Sequence, residues 1–67
     1  MKAQLPEIGT TVKAYGDKYV VICYEKNGKE IVAIGKDSRG VERAVAHRPA
    51  DADELALPDG ERNGRLK

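Results

Sequence analysis

The sequence predicts a mostly β fold: a small five-stranded barrel with one short helical turn and a disordered C-terminal tail. Three observations lead there. The apolar residues come as short β-branched runs, "TTVKAYG", "KYVVICYE", "KEIVAIGK" and "GVERAVAH", rather than at helical spacing. Asn27-Gly28 separates the second run from the third, which is a strong hairpin signal. The chain has 67 residues, enough for one domain whose single core only just offsets chain entropy.

The first strand comes from Ile8, Thr10, Val12 and Ala14, which alternate with Thr11, Lys13 and Tyr15 and can pack on the three later runs. The second and third runs form the hairpin around Asn27 and Gly28, where a type I′ turn needs positive φ at both central residues. Asp37-Ser38-Arg39-Gly40 then suits a type I turn with aspartate first and a left-handed glycine, closing a three-residue loop with a bulge. After the fourth run, Pro49 removes a backbone donor, so the ladder should stop near Arg48. Asp51 with Glu54 three positions on resembles a capping box lacking its hydroxyl, predicting a turn of α or 3₁₀ helix around Ala52 to Leu55. Leu55 and Leu57 would plug the barrel or make a short fifth strand. Residues 1–57 are thus assigned to the barrel. Residues 58–67, with one aliphatic side chain among Pro, Gly and charges, are assigned to a tail disordered when the protein is alone.

A loop of Asn27-Gly28 fixes a register with Lys26 opposite Lys29, Tyr24 opposite Ile31 and Cys23 opposite Val32. The second loop places Ile34 opposite Ala44 and Ala33 opposite Val45, unless a bulge reverses the fourth strand. One face then holds Tyr19, Val21, Cys23, Val32, Ile34, Ala44 and Ala46. The other holds Val20, Ile22, Tyr24, Ile31, Ala33, Arg43, Val45 and His47. Both are apolar in their central strands, so the second must also be covered, by barrel closure or by a partner.

This layout of strand, long hairpin, tight turn, short helical turn and brief last strand, over residues 8–57, resembles the SH3-like family of small barrels. Related layouts occur in short uncharacterised proteins of bacteria and phages, in RNA- and DNA-associated modules and in the plasmid-borne type of dihydrofolate reductase. The resemblance implies a binding module, a phage or mobile-element accessory protein, rather than an enzyme. The reductase's Val-Gln-Ile-Tyr strand is replaced here by Val21-Ile22-Cys23-Tyr24.

Twelve Lys and Arg against eleven Asp and Glu give a net charge of +1, so no global field announces nucleic acid or an anionic membrane. The balance is uneven: residues 1–49 carry nine cations and six anions, and residues 50–67 carry three and five. The lone Cys23, inside "YVVICY", reads as a buried reduced thiol of a cytoplasmic protein. The opening "MKAQLPEIGT" lacks an apolar run of signal-peptide length, and no segment reaches the length of a membrane span.

Metal and catalytic readings of "AHRPADADEL" are weak. His47 is followed by carboxylates only, and Cys23 is expected on the opposite face, so no zinc set forms. Calcium would want a glycine-bent oxygen loop, which "DADELALPDG" does not match. Aliphatic surroundings raise a thiol pKa, so Cys23 is no nucleophile, and Ser38 has an ordinary turn position. No cofactor, metal or small-molecule substrate is expected. Three tyrosines with no Phe or Trp are too few for a proline-rich or methyl-lysine site. Two expectations remain. The second apolar face, centred on Val20, Ile22, Tyr24, Ile31 and Val45, would bind a protein partner or a second copy of the chain. Alternatively a basic rim of Lys36, Arg39, Arg43 and Arg48, with Lys13 and Lys18 near the first loop, would bind nucleic acid.

Overall fold

A computed structural model describes residues 4–64 and 66. Four strands, β1 (Thr11–Ala14), β2 (Asp17–Asn27), β3 (Glu30–Lys36) and β4 (Glu42–Pro49), make one antiparallel meander in the order β1-β2-β3-β4. A single 3₁₀ turn, Glu54–Ala56, comes after them. Among the described residues the sheet has four strands and not five, and it is open, not a closed barrel. Leu55 is largely exposed, and Leu57 packs against the core from a loop instead of adding a strand.

Local chemistry explains each connection. Between β1 and β2 the loop is Tyr15-Gly16, both at positive φ (54° and 73°), which is type I′ geometry with a tyrosine in a place that favours glycine or asparagine. Between β2 and β3, Asn27 pairs with Glu30, so Gly28 (φ 61°) and Lys29 are the loop. A glycine at the first central position is the type II′ pattern. The loop is one residue later than the Asn-Gly signal implied, and every partner moves by two. Because side chains alternate with period two, that slip preserves faces. Between β3 and β4, Gly40 N–H donates to the Asp37 carbonyl (3.0 Å), and Gly40 holds φ 84°, as the Asp-Ser-Arg-Gly spacing predicts.

Two bulges then decide the faces. Val21 pairs with Gly35 and Cys23 with Ile34, so Ile22 is the extra residue of β2. Ala33 pairs with Ala46 and Ile34 with Ala44, so Val45 is the extra residue of β4. The first bulge puts Val21 on the same face as Tyr24; the second puts Arg48 opposite Ile31 and turns His47 outward. The core therefore contains Val21, Tyr24, Ile31 and Ala33, with Leu5 and Leu66 laid over them and Val12, Val45, Ala46, Ala50 and Leu57 around the margin. Tyr24 satisfies its hydroxyl by donating to the Pro6 carbonyl (2.7 Å).

Of residues 58–67, assigned to a disordered tail, residues 59–63 lie along the half of β2 that β1 does not cover, and Arg65 and Lys67 lie outside the described residues. Gly60 N–H donates to the Lys26 carbonyl, Lys26 N–H to that of Glu61, and Asn63 N–H to that of Tyr24 (2.8, 2.9 and 2.9 Å). Asp59 accepts from Lys26 Nζ (2.7 Å) and from Gly28 N–H (3.1 Å). These bonds occupy what would otherwise be a bare sheet edge. No helix among the described residues is long and apolar enough to cross a membrane.

Candidate nucleic-acid interface

Strand directions gather the cations. The β1–β2 turn, the C-terminal end of β3 and the N-terminal end of β4 all lie at one end of the sheet, because Lys13 pairs with Lys18, Val20 with Lys36, Gly35 with Arg43 and Lys36 with Glu42. Lys13, Lys18 and Lys36 share the face that carries Val20, which is 43% exposed. Two lysines directly opposite each other repel, so the pair is a cost to the fold.

Arg43 lies on the other side of the same end, with its guanidinium carbon 5.0 Å from the Tyr15 ring centroid. Tyr15 is 64% exposed, meets Tyr19 edge-on at 6.0 Å, and donates its hydroxyl to the Ala44 carbonyl at 2.7 Å. Those contacts hold it in its left-handed conformation, which costs on the order of 1–2 kcal/mol for a residue bearing a Cβ.

Three anions lie at this end: Asp17 accepts from Lys18 N–H (2.8 Å), Asp37 is paired with Arg39, and Glu42 with Arg62. The Asp37 carboxylate accepts from Arg39 N–H and Val41 N–H (both 2.9 Å) and from the Arg39 guanidinium (3.1 Å). Those bonds, the Val41 amide first, hold its pKa below the ordinary carboxylate value. Glu42 is paired with Arg62, whose guanidinium also reaches Glu25 (2.9 and 2.8 Å). Arg62 thereby spans from β2 to β4 across the face that carries Cys23 and Ile34. The Cys23 thiol beneath it is half-buried, not fully buried, and desolvation raises its pKa.

Arg48 is no part of an exposed rim. It is 5% exposed, faces the core because of the Val45 bulge, and binds Glu54 through two parallel bonds (2.8 and 2.7 Å). It also donates to the Leu66 and Pro49 carbonyls. Glu54 in turn accepts from Asp51 N–H (2.8 Å), half of the capping box the spacing suggests. Of the expected rim, Lys36, Arg39 and Arg43 remain at the surface.

The expected apolar docking face is likewise not one surface. Tyr24 (1% exposed) and Ile31 (0%) are core, Val45 packs against them, Ile22 sits at the β2 bulge, and Val20 is on the opposite face. His47 and Cys23 share a face rather than opposing each other, again through the Val45 bulge. They sit on different rungs, and His47 pairs with Glu30 (Nδ1 to Oε2, 2.7 Å). Among the described residues no group of three His, Cys, Asp or Glu could hold a metal.

A groove of about 230 Å³ runs along β4, lined by Tyr15, Ala44, Val45, Ala46, Val32 and the Glu30–His47 pair. Sequence reasoning missed the parts played by Tyr15 and Arg62. An aromatic beside a glycine in a two-residue loop is the one signal that could have flagged the first. Comparison of the chain with protein-family models, curated proteins and solved structures finds no match in any of the three.

Proposed function

We propose that this protein is a non-enzymatic module that binds single-stranded nucleic acid through the basic end of its sheet. The observation that carries the proposal is the gathering of cations at one end of the sheet, Lys13, Lys18 and Lys36 on one face and Arg43 against exposed Tyr15 on the other, with Arg39 in the adjoining turn paired to Asp37. Phosphate affinity needs several cations within reach of one backbone, and an aromatic beside them offers a sequence-tolerant stacking surface. The meander with a 3₁₀ turn before its last segment favours an SH3-like relationship, in which a sheet end is a natural docking rim.

Binding at low salt of a labelled oligothymidylate of about twelve nucleotides, followed by fluorescence anisotropy, tests this. The logarithm of affinity should fall with the logarithm of salt at a slope of roughly −2 to −3.5, for three to five phosphate contacts. A Lys36→Ala/Arg43→Ala double substitution should flatten that slope by about 1.4. No binding by the wild type at about 20 mM salt, or an unchanged slope in the double variant, would rule the proposal out. The narrower protein-binding reading rests on Val20, exposed among lysines, and would be favoured by a Val20→Asp variant that changes the solution mass.

A further inference from the structure

We infer that the groove along β4 accepts one unpaired base of the bound strand and prefers guanine, with Glu30 reading the base edge. This rests on the nucleic-acid reading above and deepens it. Continuity comes first: Tyr15 closes one end of the groove and carries Arg43 against its ring, so a backbone held at the basic end delivers a base directly to the groove mouth. Size comes second. At about 230 Å³ the groove is below the roughly 300–1,000 Å³ of a drug-sized site, which suits a single flat ring system.

Chemistry decides between bases. Val32, Ala44, Val45 and Ala46 give an apolar floor, and the far end is the Glu30 carboxylate. Glu30 Oε2 is held by His47 Nδ1 at 2.7 Å, which orients the group and leaves Oε1 and the second lone pair of Oε2 to accept. A carboxylate recognises a base that presents adjacent N–H donors. Guanine offers N1–H and the N2 amino group side by side on its Watson–Crick edge; adenine and cytosine offer only an amino group, and thymine one imino N–H. An extended peptide would also fit along a strand edge, but Arg43 against the Tyr15 ring, at the same end of the sheet as Lys13, Lys18 and Lys36, favours a nucleotide.

The test uses the full chain and labelled oligothymidylates of about twelve nucleotides carrying one central G, A, C or T, with affinities measured by anisotropy. The G host should bind about five- to tenfold tighter than the other three. Glu30→Ala, a change at an exposed position, should cut that advantage below about twofold. Lys36→Ala/Arg43→Ala should weaken all four hosts alike and keep the ratio. Equal binding of the four hosts by the wild type, or a guanine preference that survives Glu30→Ala, overturns the base-reading inference and leaves the backbone-binding proposal standing. Failure to bind any host overturns both, and in that case the groove is left to a peptide.

Discussion

Gly35 shows how much one missing atom matters in a sheet this thin. A Cβ there would come within 2.8 Å of Tyr19 Cβ and 3.0 Å of Val45 Cγ1, because the β4 bulge and the start of β2 both close over β3 at that point. Gly35→Ala should therefore destabilise the fold by about 1–3 kcal/mol in urea denaturation, with strain in place of the usual gain from removing a glycine. Arg48 and Glu54 make the complementary case. Glu54→Ala leaves a buried guanidinium with its carboxylate removed, a loss of about 3–5 kcal/mol. In a domain this small that is a large share of the total, so the variant should be mostly unfolded by circular dichroism. Protonation acts at the same scale. The pKa values of Asp37 and Asp59 are lowered in the folded state, by the Val41 amide and by Lys26 respectively. Their contribution is present above the ordinary carboxylate pKa and is lost as pH falls through the depressed values. Thermal stability should thus drop on acidification below about pH 4, and Asp37→Asn should reduce that dependence.

At the scale of elements, what was legible in the sequence was local chemistry. Asn27-Gly28 announced a hairpin, Asp37 and Gly40 a type I turn, and Pro49 the end of the ladder, because each depends on a backbone preference carried by one or two residues. The bulges were not legible. Ile22 and Val45 are β-branched residues like their neighbours, and nothing in their type says which one stands unpaired; pairing partners far along the chain decide it. That single ambiguity reversed the fourth strand, moved Arg48 from rim to core and dissolved the expected apolar docking face. The segment after Pro58 was hard to read for a related reason. Its composition lacks a core, yet its backbone bonds to Lys26 and Tyr24 and the insertion of Leu66 need only one aliphatic side chain. Deleting residues 59–67 should speed hydrogen exchange of the Lys26 amide, whose acceptor is the Glu61 carbonyl, far more than that of the β1–β2 amides.

For the whole molecule, the open meander separates charge along its strands. One end presents Lys13, Lys18, Lys36, Arg39 and Arg43 against Asp17, Asp37 and Glu42; the other carries Glu30, Asp51, Asp53, Glu54, Asp59 and Glu61 against Lys26, Lys29 and Arg48. A net charge of +1 hides that separation. The basic end also holds Tyr15 in a left-handed conformation and two lysines face to face, both costs to the fold. The most direct measurement is amide chemical-shift mapping of the labelled protein titrated with an oligothymidylate at low salt. Shifts confined to residues 13–20, 30–32 and 35–47 would place the strand on the basic end and the β4 groove. Shifts centred on residues 26–29 and 50–61, or none at all, would contradict the proposal.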